Sequence, residues 1–243
     1  LDEKVVILES LGVAHLIILP FTHALAELTY SDFVRNLLVD KLGVKGLVIG
    51  YDHRLGKNRE GTFDKLKVLA EQYHFYLEQE DVYEEHDINI SSTKIRNALQ
   101  IGDITRVNEF LGYAYSISGM VVQGDHIGRQ MGFPTANIKL KDERKLLPAV
   151  GVYAVEVFVV GKLYRGMLNI GVRPTVSCSG EVRIEVHIFD FTGDLYGSNV
   201  RVALVSRIRG ERKFDGKEEL AEQLQRDKQS ALMVFRNGIV QLN

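Results

Sequence analysis

At Tyr115 the chain changes period. Before it, apolar clusters at helical spacing alternate with short apolar runs, the pattern of α/β units built on a parallel sheet. From Tyr115 to about Arg209 apolar and polar residues alternate instead, with glycine-containing turns near Gly161 and Gly193, which predicts an antiparallel sheet or small barrel. A helix opening at Asp215, with Glu218 three residues on as a capping box, follows and is expected to pack Leu220 and Leu224 against that barrel. Two regions are therefore predicted, residues 1–113 and residues 114–243.

Within the first region Val5, Leu8 and Leu11 form a stripe closed by Gly12, and residues 14–19 read as a buried strand. Residues 31–39 predict a helix with Phe33, Leu37 and Leu38 inward and Gly43 as its stop, and residues 44–49 predict the next strand. That strand runs straight into GYDHRLGKNREG, residues 50–61, where open α/β sheets bind ligands. Gly50 and Gly56 permit sharp turns, and Lys57 and Arg59 add positive charge. The acidic residues 78–87 read as a solvated loop. Ser91 or Ser92 caps a helix running to about Gln100, and a helix N-terminus is an anion site. Arg96, near its start, offers a planar fork to a phosphate. A second capped helix runs from Asp103 to Leu111 and stops at Gly112.

The second region opens with GDHIGRQMGFPTANI, residues 124–138. Gly124, Gly128 and Gly132 recur every fourth residue and let backbone N–H groups approach an anion unshielded, which describes a phosphate cradle. Pro134 fixes its own φ and restrains Phe133. Thr135 and Asn137, two apart in an extended segment, then present a hydroxyl and an amide oxygen on one side, a donor pair for a hard cation such as Mg²⁺. This combination predicts phosphoryl transfer. Glycines at this spacing also occur in plain tight loops and in membrane helix pairs, but Asp125, His126 and Arg129 and the want of any apolar run of about 18 residues exclude the membrane version.

Four motifs of the second region, GRQMGFPTAN, GVYAVEV, GMLNIGVRPT and EVHIFDF, resemble in order the riboflavin kinase module. Upstream, GYDHRLGKNREG and ISSTKIR resemble the FMN adenylyltransferase module that precedes it in bacterial bifunctional FAD synthetases, so the resemblance covers nearly all 243 residues. It implies an α/β Rossmann-like first domain, an antiparallel β-barrel kinase domain with a C-terminal helix, ATP and Mg²⁺ as co-substrate and cofactor, and riboflavin, FMN and FAD as substrates or products. The adenylyltransferase module normally carries an HxGH loop on its first strand. No two of the seven histidines are separated by two residues, so the domain is expected to lack its front, and FAD synthesis by these residues alone is expected to be impaired.

The resemblance also assigns residues. Asp52 and His53 are expected beside the nucleotide or flavin with Gly50, and Ser91, Ser92 and Arg96 at the ATP phosphates. In RIEVHIFDF, Ile184, Val186 and Ile188 share one strand face while Glu185 and His187 share the other, so Glu185 can be aimed at a pocket. It is the expected catalytic base, taking the proton of the ribityl 5′-hydroxyl. His187 is expected to pack or hydrogen-bond rather than ligate metal, since no Cys/His cluster with zinc spacing exists. Asn169 and the Arg173-Pro174-Thr175 turn are expected to form the pocket or its lid. Arg209, with Glu211 and Phe214 nearby, resembles an arginine on the flavin side.

Composition narrows the function classes. A net charge of −2 and a pI near 6.4 provide no basic field for nucleic acid. A lone cysteine, Cys178, excludes an internal disulfide and agrees with a reducing, cytoplasmic setting; it has no obvious activating partner. Two other classes remain open, a flavin-binding regulatory module without turnover and a barrel that binds proteins or single strands. Retention of Thr135, Asn137 and Glu185 together favours the kinase, because a binder needs no donor pair beside a base.

Overall fold

The computed structural model describes residues 2–81, 84–85, 88–124, 128, 131–173 and 181–236. The chain divides into two compact units, Leu1–Asn89 and Ile90–Asn243.

In the first unit, helices α1 (Asp2–Ser10) and α2 (His23–Ala26) precede α3, whose first turn, Tyr30–Asp32, continues as a π-wound segment, Phe33–Val39. Strand β1 (Gly46–Gly50) pairs in parallel with β2 (Tyr76–Glu80) across the crossover helix α4 (Phe63–Tyr73), and β3 (Glu84–Glu85) forms a short antiparallel pair with β4 (Ile88–Asn89). Val34, Ile49, Leu66, Leu69, Ala70 and Phe75 form the core between that parallel pair and its helices. Thr29 caps α3, its Oγ1 accepting from Asp32 N at 3.0 Å, so the helix begins earlier than the predicted Ser31. The i→i+5 bonding places residues four and five apart on one side, so Val34, Leu38 and Val39 face the core and Phe33 is only half-buried.

Three expectations fail in this unit. Residues 14–19 form no strand: Leu16, Ile17, Ile18 and Leu19 are exposed, because no described strand lies alongside to bond the backbone and cover both faces. The stripe of α1 is likewise unburied, although Gly12 does close the helix at φ +79°. The acidic stretch is not all loop either. Glu78, Gln79 and Glu80 belong to β2, paired with Val48, Ile49 and Gly50, since an exposed edge strand tolerates charge on its open face.

The second unit holds α5 (Ser92–Ile101), α6 (Ile104–Leu111), strands β5 (Ser116–Val122), β6 (Ala136–Leu140), β7 (Gly151–Val159), β8 (Lys162–Arg173), β9 (Glu181–Ile188) and β10 (Asn199–Arg209), and the long α7 (Lys217–Arg236). The six strands close into an antiparallel barrel in the order β10-β5-β6-β9-β8-β7. Alternation predicted this: Ile184, Val186 and Ile188 point into a core that also takes Ile117, Val155, Leu168, Val202 and Leu204. Val160 and Gly161, both at positive φ, turn β7 into β8.

Compactness divides the chain ahead of the change of period rather than at residue 113. Ala98, Leu99, Ile104 and Val107 bury themselves in the barrel core, so α5 and α6 plug the barrel instead of completing the first unit. Asn108 fastens α6, donating to Leu204 O and accepting from Tyr115 N. A second apolar layer lies outside the barrel, where Val152, Ala154, Met167 and Phe189 meet Ala231, Leu224 and Leu232 of α7. Asp215 N donates to Glu219 Oε2 at 3.1 Å, so the carboxylate that reaches back to the helix start is Glu219 and not the predicted Glu218.

Candidate functional site

The outer face of β9 carries Glu185 and His187, because strand side chains alternate and Ile184, Val186 and Ile188 occupy the core side. Register then assembles a row across three strands: Glu185 faces Asn137 of β6 on one side and Asn169 of β8 on the other. Thr135, immediately before β6, donates its hydroxyl to Glu185 Oε2 at 3.4 Å. Arg183 Nη1 lies 4.0 Å from Glu185 Oε1. The predicted hydroxyl, amide and carboxylate therefore converge. Thr135, Glu185 and Asn169 line a cavity of about 260 Å³, with Asn137 beside Glu185 in the ladder.

That cavity has an apolar floor and a charged rim. Met131, Phe133, Val152, Met167, Leu220 and Leu224 supply the floor, and Arg209, Glu211, Arg212 and Phe214 the far rim. Such a mixture suits a flat, largely apolar ring with a polar tail. Periodicity identified Leu220 and Leu224 as packing residues only; both line the cavity because α7 lies along its edge.

The glycines of the loop do different jobs. A Cβ on Gly124 would sit 1.9 Å from Asn137 Nδ2, and one on Gly128 only 2.3 Å from Phe133 O. Gly132 touches nothing but holds φ +79°, turning the chain into Phe133. Glycine is thus needed at Gly128, where the atom met is backbone, while a side chain on Gly124 would require the Asn137 amide to move. Asp125, His126 and Arg129 lie outside the described residues, as do Pro174, Thr175 and Cys178. Gly128→Ala is expected to destabilise the protein by about 1–3 kcal/mol in urea denaturation, as overpacking does, because the atom met is backbone and cannot swing away. An unchanged midpoint would show that the loop adapts at no cost.

His187 packs and hydrogen-bonds, as expected. It is buried edge-on against Phe133 and Phe189, with Nδ1 2.7 Å from Pro134 O. Burial pushes its pKa below the usual value, opposed by that hydrogen bond. Arg209 lines the cavity, but its guanidinium is not a free charge. Nε and Nη2 donate to Asp227 at 2.8–3.0 Å, Gln223 Nε2 donates to the same carboxylate, and Phe214 lies against the cation at 5.6 Å. Asp227, only 1 % exposed, went unnoticed in the sequence. Its signal was there: residues 220, 224, 227 and 231 form one helical stripe in which Asp227 is the charged member.

No three His, Cys, Asp or Glu side chains cluster as a metal site among the described residues. A cation here would be held by the Thr135 hydroxyl and the Asn137 amide oxygen, beside the Glu185 carboxylate. A hydroxyl that donates to a carboxylate keeps its lone pairs for a metal, so this donor set fits a hard ion that retains ligands from elsewhere.

Of the candidates of the first unit and of α5, Gly50, Asp52, His53, Ser92 and Arg96 are exposed and Ser91 is half-buried. Gly50 ends β1, and Asp52 and His53 follow in a turn closed by His53 N to Gly50 O at 3.1 Å, with Arg59 donating to Asp52 O. Lys57 pairs with Glu27. Ser91 is the cap of α5, accepting from Lys94 N at 3.3 Å; Ser92 is its first residue, and Arg96 is exposed on the same helix. Among the described residues no helix is long and apolar enough to cross a membrane.

Comparison with known proteins agrees with this geometry. Residues 111–235 match the family model for riboflavin kinase, and residues 1–94 that for FAD synthetase. The bifunctional riboflavin kinase/FMN adenylyltransferase of Escherichia coli (strain K12) is 40% identical over 236 residues, 97% of this chain and 74% of that protein. The protein of the same name from Bacillus subtilis (strain 168) is 38% identical over 239 residues, 98% of this chain and 75% of its own. A crystal structure described as a macrolide-efflux protein from Streptococcus pneumoniae matches with a TM-score of 0.85 at 35% identity, covering 95% of this chain and 73% of that one. With two family models in tandem and such relatives matched over nearly its whole length, the chain belongs to the bifunctional riboflavin kinase/FMN adenylyltransferase family.

Proposed function

We propose that the barrel unit transfers the γ-phosphoryl group of ATP to the ribityl 5′-hydroxyl of riboflavin, giving FMN and ADP, and that the first unit serves the adenylylation of FMN to FAD. The observation that carries the kinase reading is the convergence of Thr135, Asn137 and Glu185, the first and last of which line a largely apolar cavity. In this reading the loop of Gly124, Gly128 and Gly132 receives the ATP phosphates, and Pro134 stiffens the segment that follows. Thr135 and Asn137 would hold Mg²⁺, which would supply charge neutralisation for the transferring phosphoryl group. Glu185 accepts the 5′-hydroxyl proton while that oxygen attacks phosphorus and ADP leaves. Asn169 and Glu211 bind the flavin side. Arg209, neutralised by Asp227, shapes that wall rather than attracting an anion. Turnover distinguishes this from a regulatory flavin binder, for which nothing in the site speaks.

For the nucleotidyl step the reading assigns Gly50, Asp52, His53, Ser91, Ser92 and Arg96 to the nucleotide or flavin. A polypeptide of these 243 residues carries no HxGH pair, so most contacts to the transferring phosphate would be missing from it. A cytoplasmic setting completes the proposal, supported by the single cysteine. Incubation of the 243-residue chain with riboflavin, ATP and Mg²⁺, with FMN and FAD separated chromatographically, is expected to yield FMN and little or no FAD. FAD appearing as fast as FMN would overturn the nucleotidyl part, and no FMN at all would overturn the kinase part.

A further inference from the structure

We propose that His187 is a positioning residue of the phosphoryl-transfer site, acting through the hydrogen bond from its Nδ1–H to the carbonyl of Pro134 to fix the peptide that carries Thr135. The inference rests on the kinase reading of this cavity. It begins with how Thr135 is held. The β6 ladder starts one residue later, with Ala136 opposite Val186 and Asn137 opposite Glu185, so no ladder bond restrains Thr135 itself. Pro134 has a locked φ and no N–H, which leaves its ψ as the soft dihedral deciding where the next peptide plane, and with it Thr135, points. A donor on the Pro134 carbonyl removes that freedom. His187 supplies it at 2.7 Å, from a strand position two residues beyond Glu185. Among the described residues the Thr135 hydroxyl bonds to Glu185 at 3.4 Å, too long to orient it firmly.

The chemistry of the pair fixes the ring. A carbonyl oxygen only accepts, so Nδ1 must carry the proton, and in the neutral ring Nε2 is then the lone-pair nitrogen. Phe133, packed edge-on at 5.2 Å, and Phe189, at 5.6 Å on the other flank, prevent the ring from turning away. Burial favours the neutral ring, though the bond to Pro134 exists in either charge state. Glu185, as base on β9, and Thr135, as metal donor just before β6, are thus placed relative to one another by a residue that acts through the Pro134 carbonyl. Packing alone would require an aromatic ring at this position. Positioning requires a donor nitrogen.

The two roles separate in a comparison of His187→Phe, which keeps the ring and loses the donor, with His187→Asn, whose amide nitrogen lies where Nδ1 lay. Each is measured for calorimetric affinity toward ADP with Mg²⁺, for riboflavin affinity, and for the kcat and KM of FMN formation. Loss of a partner that orients a metal donor weakens metal affinity or activity by roughly 10- to 100-fold. His187→Phe is therefore expected to weaken Mg²⁺-dependent ADP binding, and to raise the KM for ATP, by about tenfold or more. His187 also lines the cavity, so riboflavin affinity is followed separately, and His187→Asn should recover most of the loss in Mg²⁺-dependent ADP binding. Wild-type ADP affinity in His187→Phe would overturn the proposal. So would His187→Asn as weak as His187→Phe when both melt cooperatively. If His187→Phe does not fold, His187→Ala replaces it in the same comparison with His187→Asn. Absence of FMN formation by the wild-type chain is the separate result that would remove the kinase reading itself.

Discussion

Glu185→Gln is expected to lower the turnover number for FMN formation by about 10²- to 10⁴-fold, the usual contribution of a positioned general base, while riboflavin still binds. Glutamine keeps the size of the side chain and its place in the row between Asn137 and Asn169, but it cannot take the hydroxyl proton. It still accepts a hydrogen bond, so Thr135 keeps its partner at Oε and the cavity wall should not collapse. Most of phosphoryl-transfer catalysis is positioning and charge neutralisation, which is why a residual rate should survive. A turnover number equal to wild type would remove Glu185 from the role of base and leave it as a wall of the pocket.

Asp227→Ala is the change expected to damage stability most, by about 3–5 kcal/mol, because it strips a buried pair of one partner. Arg209 would lose three hydrogen bonds to the carboxylate and keep only Gly210 O and the face of Phe214. Gln223 would lose its acceptor as well. The damage should spread to function, since this cluster fastens α7 to β10 beside Glu211, Phe214, Leu220 and Leu224, all of which line the cavity. Replacing both charges at once, Arg209→Met with Asp227→Leu, should restore most of the stability and little of the riboflavin affinity. Chemical denaturation of the single and double variants decides it: a single variant within about 1 kcal/mol of wild type would mean that water reaches the pair and the network is weak.

How much of this was readable in the sequence follows from which forces are local. Alternation at period two announced the barrel and put Glu185 and His187 opposite Ile184 and Val186, because strand geometry sends neighbours to opposite faces whatever the surroundings. The caps at Ser91, Asp103 and Gly112 were legible for the same reason, each being satisfied within a few residues. Residues 14–19 misled because a continuous apolar run encodes burial, while a strand also needs neighbours that the run does not specify. Asp227 could be seen as the charged member of an apolar stripe, but not its pairing, because Arg209 lies 18 residues away on another element. The helical period shows that α5 and α6 each have an apolar face, not which core receives it; that core is the barrel's. The cavity itself needed the fold: Met167, Val152 and Leu224 come from three elements and share no motif.

The measurement that bears most directly on the account is the rate of FMN formation from riboflavin, ATP and Mg²⁺ by the wild-type chain and by Glu185→Gln, with the riboflavin dissociation constant of each taken in parallel. The account predicts turnover by the wild type, comparable riboflavin affinity in both, and a rate in the variant lower by about 100-fold or more. Equal rates in the two, or riboflavin bound by the wild type with no FMN formed, would contradict it.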